Sequence, residues 1–302
     1  MHSALTTPAA DAGYFPRSSS VLRRVHEERA VGLLWGQRAL AIGAINPLNF
    51  FGTVNHTWAR ATPFQRLAHT AKMFETIFFG SRAEADAVLV MVDRMHQTVH
   101  GEIPEDMGTT KAGTPYSALD PGLMLWTIAV SADSARVFYE MLVGPLTGPE
   151  RDALWSDYVR FGELFGMPRD IAPTSYEEFS SYWEEQISRP EAHLSREALH
   201  VGSAVMFEIP VPRAHRPAMR LHNLLLLGSL PPRVRELYGL RWSTAHAAAL
   251  QTAVAMVKAS RPITPRRVRL GPNTVLFDLV ARAEKARIAR GQPIPGALEP
   301  LA

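Results

Sequence analysis

From about residue 18 to residue 290 the chain repeats one pattern: a capping residue, then apolar residues spaced three and four apart, then a glycine or proline. That spacing places the apolar side chains on one face of an α-helix. Ser18, Ser19 and Ser20 precede VLRRVHEERAVGLLWGQRALAIGAI, with a break expected near Gly32. A short helix is expected in LNFFGTVNHTWARA after Asn46-Pro47. Thr62-Pro63 starts FQRLAHTAKMFETIFF, which Gly80 closes, and Ser81 starts RAEADAVLVMVDRMHQTVH, closed by Gly101. Residues 102–119 read as a loop. Asp120-Pro121 caps PGLMLWTIAVSADSARVFYEML, with Asp120 as the capping acceptor. Thr147-Gly148-Pro149-Glu150 caps the next helix, to about Phe165, and Thr174 or Ser175 caps YEEFSSYWEEQI. Further helices are expected near 194–206, 214–228, 231–237, 243–258 and 274–290. The alternation that marks a strand is confined to VMFEIPV at 205–211, where Pro210 and Pro212 weaken it. The expected class is all-α: a single multi-helical domain over 18–290, a disordered leader over 1–17 and a flexible tail over 291–302.

Composition excludes several chemistries. With no cysteine among 302 residues, disulfides, thiolate zinc sites, iron–sulfur clusters and cysteine-ligated haem are ruled out. The net charge is +3, and the basic residues are dispersed apart from Arg261, Arg266, Arg267 and Arg269. Such a surface reads as solvated rather than as a nucleic-acid footprint. The start of the chain lacks the apolar core of a secretory signal, and no apolar run is long enough to span a bilayer, so a cytoplasmic protein is expected.

One short stretch carries most of the functional information. MHQTVHG at 95–101 sets His96 and His100 four residues apart, on one face if the helix continues through them. It approaches the H-E-x-x-H pattern of zinc peptidases, but Gln97 stands where that chemistry needs a glutamate base. Ala85, Val88, Leu89, Val92, Met95 and Val99 form an apolar stripe. His96 falls within it, and His100 falls at its edge near Asp93. This pattern leaves three readings open: a hydrogen-bonded core histidine, a non-haem metal site using His96 and His100 with Asp93 or Glu102, or an axial ligand in a haem pocket.

Several segments combine in order: GQRAL at 36–40, NPLNFFGTVNHT at 46–57, RLAHT at 66–70, MHQTVHG at 95–101, TPYSALDPGLMLW at 114–126, LFGMP at 164–168 and LPPRVRELYGL at 230–240. Over roughly residues 25 to 245 the chain resembles the oxygenase family that groups MpaB-type proteins with latex-clearing protein, the bacterial rubber oxygenase. The resemblance implies an all-α fold with a globin-like helical core. It also implies a haem-dependent oxygenase or related oxidoreductase acting on an apolar organic substrate. Haem b would be the cofactor, with His96 as proximal iron ligand and dioxygen as co-substrate. The family's H-x-x-V-R-G pattern matches His96, Val99 and Gly101, with His100 where arginine is usual. Its R-x-x-x-T pattern matches Arg66 and Thr70, placing both beside the haem, where a guanidinium can pair with a propionate. His56 matches a family histidine that lines the pocket or caps a helix. His69 stands at a position that is basic in relatives, where it would act as a removable distal ligand. Two family histidines are replaced, by Asn46 and by Ile128. Loss of haem would leave a non-catalytic helical protein carrying a hydrophobic ligand.

Overall fold

The computed structural model describes residues 13–57 and 59–299. The fold is all-α, as the spacing predicts. The first helices are α1 (Val21–Glu27), α2 (Arg29–Gly32), α3 (Trp35–Gly43), α4 (Pro47–Asn55), α5 (Pro63–Phe79) and α6 (Arg82–His96). A small antiparallel hairpin, β1 (His100–Glu102) with β2 (Pro115–Ser117), sets Gly101 opposite Tyr116. Then come α7 (Pro121–Leu142), α8 (Gly148–Leu164), α9 (Tyr176–Ser188), α10 (Arg196–Phe207), α11 (Arg216–Ser229), α12 (Pro232–Leu237), α13 (Thr244–Ser260), α14 (Arg266–Arg269) and α15 (Thr274–Ile288).

The core is organised around α7. Asp120 accepts from the Leu123 amide, Pro121 occupies the first turn, and the helix is buried on most of its circumference from Leu125 to Phe138. Small side chains such as Ala129, Ala132 and Ala135 let α3 and α8 pack closely against it. A helix buried on nearly all sides belongs to a core, and its few polar side chains there, Asp133 among them, must find partners within it. The α5 helix lies outside this centre and packs chiefly against α6 and α15. Its N-terminus is capped from a distance. Thr62 makes no side-chain cap, and the buried Glu284 carboxylate of α15 accepts from the amides of Phe64 (3.1 Å) and Gln65 (2.8 Å). A negative charge at a helix N-terminus satisfies free donors and complements the helix dipole.

The structure corrects the expected boundaries in four places. First, α6 stops at His96 rather than running to Gly101. The Thr98 and Val99 amides close a turn onto Met95 and His96, and the chain then enters β1. Secondly, the strand-like run at 205–211 is helical up to Phe207, because its apolar residues continue the buried stripe of α10. Thirdly, of the expected leader, residues 1–12 lie outside the described residues, but Phe15 is buried against Phe78 and Phe161. Fourthly, the described part of the expected tail is docked: the Leu298 amide donates to the Arg60 carbonyl, and Arg60 Nε donates back to the Glu299 carbonyl.

Candidate functional site

The residues singled out from the sequence gather on α5, on α6 and around the hairpin. On α5, Arg66, Thr70, Met73 and Phe74 are all half-buried, as are most residues of this helix. Arg66 is crowded enough that burial lowers its pKa to about 10, and no carboxylate offsets the effect. Among the described residues its guanidinium has neither an ion pair nor a hydrogen bond. The residue is half-buried and its guanidinium nitrogens still reach solvent, so the charge is partly desolvated without a counter-charge, which carries a modest cost. His69, one residue before Thr70, is exposed.

His96 is the last residue of α6 and is half-buried. Burial lowers its pKa, with Asp93 opposing, so the imidazole is neutral near pH 7. Neutral imidazole is the form that ligates a metal. Its ring lies 6.1 Å from that of Phe165, just past the end of α8. Phe165 continues into an aromatic cluster: 4.9 Å to Phe161, then 5.2 Å from Phe161 to Phe74 on α5. LFGMP, RLAHT and MHQTVHG are far apart in sequence, yet Phe161, Phe165, Phe74 and His96 link the helices that carry them.

His100 does not share this environment. It lies in β1 and is exposed, so the shared helix face expected for His96 and His100 is not realised. Glu102 is also exposed, and Asp93 accepts a hydrogen bond from Gln97 Nε2 at 2.8 Å. Among the described residues no three His, Asp or Glu side chains are grouped to hold a metal ion.

Around the hairpin, His56 Nε2 pairs with the Tyr116 hydroxyl at 2.9 Å, at the C-terminal end of α4. The same hydroxyl explains Gly101, because a Cβ there would sit 2.8 Å from it. Asn46 caps α4, its side-chain oxygen accepting from the Leu48 and Asn49 amides. Ile128 is buried in α7, where a side chain on Gly162 would collide with it and with Met167. Asn46 and Ile128 thus serve as a helix cap and as core packing. A 490 Å³ cleft is lined by Asn46, Tyr116, Asp120 and Trp126 among others, and by none of Arg66, Thr70 and His96.

A family model described as ER-bound oxygenase mpaB/B'/Rubber oxygenase, catalytic domain, matches residues 23–259. The chain belongs to this oxygenase family. No curated protein and no solved structure matches it. The matched span runs from α1 to the end of α13, so it contains every site residue discussed above and stops short of α15, which caps α5. No helix among the described residues is long and apolar enough to cross a membrane.

Two buried polar groups within this oxygenase domain escaped the sequence reading. Arg38, only 2% exposed, is paired from within: Nη1 lies 2.7 Å from Asp133 Oδ2 and donates to Ser134 Oγ, and Nε donates to the Ser229 carbonyl. Arg136 pairs with the other Asp133 oxygen at 2.6 Å. The second group is His26, whose Nε2 lies 2.6 Å from the Tyr158 hydroxyl and whose pKa burial pushes down to about 3. The available signal was an ionisable residue inside an otherwise apolar helix face, as with Arg38 in GQRAL and Asp133 in SADSAR.

Proposed function

We propose that the protein is an oxygenase that uses haem b and dioxygen to oxidise an apolar organic substrate. Family membership supports the oxygenase class, and the residues present are suited to the cofactor. One observation carries the cofactor reading. Arg66 is a half-buried, partly desolvated cation with no partner among the described residues, on a helix packed against the one that ends in a neutral imidazole. Haem asks for both groups: a neutral nitrogen for the iron and a cation for a propionate.

In this proposal His96 would ligate the iron, Arg66 would pair with a propionate, and the Thr70 hydroxyl would offer a hydrogen bond beside it. Phe74, Phe161 and Phe165 keep water from the site. The cofactor supplies the oxygen chemistry, and the protein supplies ligation, orientation and a dry environment. The exposed His69 takes no part, and His56 and Tyr116 shape the hairpin rather than the centre. By analogy with the rubber oxygenases that the family includes, the substrate we propose is an alkene, cleaved by dioxygen to two carbonyl products.

Absorption spectra and iron content of the purified protein and of His96→Ala test the reading. The expected result is a Soret band with about one iron per chain, lost in His96→Ala. A full and spectroscopically unchanged haem complement in the variant would remove His96. Absence of haem binding by the parent protein on reconstitution would remove the cofactor.

A further inference from the structure

A second place in the molecule is shaped for a ligand, and nothing in the oxygenase reading uses it. A 760 Å³ cleft lies between the segment entering α11 and the C-terminal end of α15. This volume is in the range of small-molecule sites. Arg213 and Arg216 line one side, and Arg287 and Arg290 line the other. A smaller neighbouring cleft of 320 Å³ shares Arg216 and Arg287 and adds Arg220, with Glu208 as its one acid. Among the described residues the side chains of Arg213, Arg216, Arg220 and Arg290 make no ion pair and no hydrogen bond. No acidic residue lines the larger cleft.

One wall is fixed in place. Ala283, Ala286, Arg287 and Arg290 recur at helical spacing, so they share a face of α15 and its continuation. That helix is pinned to α5 through Glu284. Arg287 is held by the Pro293 carbonyl, which accepts from Nε at 3.2 Å and Nη2 at 2.7 Å. Apolar surface from Val211, Ala283 and Ala286 lies between the arginines.

We propose that this cleft binds a phosphate or diphosphate group carried on an apolar body. Arg213, Arg216 and Arg290 are exposed and Arg287 is half-buried; four positive side chains around one cleft raise its potential, and a single carboxylate would offset only one of them. A phosphate or diphosphate carries more charge and presents several acceptor oxygens to the forked donors of arginine. The apolar patches accommodate the rest of an amphiphile. Its source is either a soluble phosphate ester or a phospholipid headgroup. The wall on α15 lies outside the segment matched by the oxygenase family, and the cleft shares no residue with the α5–α6 site.

Calorimetric titration of the full chain with inorganic pyrophosphate, with sulfate as the reference anion, tests the proposal. The variant is Arg213→Ala/Arg290→Ala, which spares the Arg287 anchor. Pyrophosphate should bind well above sulfate, and the double variant should weaken it by about 10-fold or more while keeping the far-ultraviolet spectrum of the parent. Co-sedimentation with phosphatidylcholine vesicles, with and without phosphatidic acid, distinguishes the sources. Capture that needs phosphatidic acid and falls in the double variant identifies a headgroup. Pyrophosphate binding without capture identifies a soluble ester. Pyrophosphate binding no tighter than sulfate, or equal in the double variant, overturns the proposal.

Discussion

Arg38 and Arg66 sit on neighbouring parts of the same helical domain, and the fold treats them in opposite ways. Arg38 is fully buried and Arg66 half-buried, and burial lowers the pKa of both. Around Arg38 the chain supplies Asp133, a serine hydroxyl and a backbone carbonyl, so the charge is compensated within the protein. Around Arg66 the described residues supply nothing. A buried charge paired with a carboxylate, a hydroxyl and a carbonyl holds helices in register. A partly desolvated charge without partners carries a smaller cost, and an anion arriving from outside relieves it. His26 shows a third solution: buried without a counter-charge, it stays neutral.

The largest effect that would break this contrast is expected at Arg38. Arg38→Met leaves Asp133 buried with only Arg136 beside it, and should cost about 3–5 kcal/mol in chemical denaturation. A loss below roughly 1 kcal/mol would show that the network is dispensable. His26 comes next. Its folded pKa is about 3 against an ordinary value of 6.5, so the unfolded state takes up its proton first as the pH falls. The stability it protects is therefore complete above about pH 6.5 and is lost progressively toward pH 3. Between pH 7 and pH 5 this linkage amounts to about 2 kcal/mol. The His26→Phe variant should lack that part of the slope, and an unchanged pH profile would contradict the buried neutral state. Smaller still is the distant cap that positions Arg66. Glu284→Gln keeps one acceptor and removes the charge at the start of α5, so a loss of about 1 kcal/mol is expected in thermal or chemical unfolding.

The helices were legible in the sequence because each carries its own local signals. Ser20, Ser81, Asp120 and Thr147 all cap the helices that they precede. The end of α6 was less legible. The apolar stripe runs on to Val99, and only the hairpin, with Tyr116 packed over Gly101, ends the helix at His96. His100 therefore left the face that it was expected to share. On α5 the shared face of Arg66 and Thr70 could be read from spacing. The partnerless state of Arg66 could not, because it depends on what the other helices fail to bring near it. Glu284, more than 200 residues away from the amides it caps, gives no local signal of its role. Docking of the 291–299 segment was equally hidden, since its proline-rich composition resembles a free tail while Leu298 and Glu299 engage the backbone and side chain of Arg60.

The most direct test measures folding stability and haem affinity together for Arg66→Met. If Arg66 is held for an anion, removing its charge costs the empty protein nothing. The change in unfolding free energy should stay within about 1 kcal/mol of the parent, on the stabilising side, while haem affinity followed by the Soret band falls about 10-fold or more. A loss of several kcal/mol with unchanged haem affinity would make Arg66 a structural residue like Arg38, and would contradict the account.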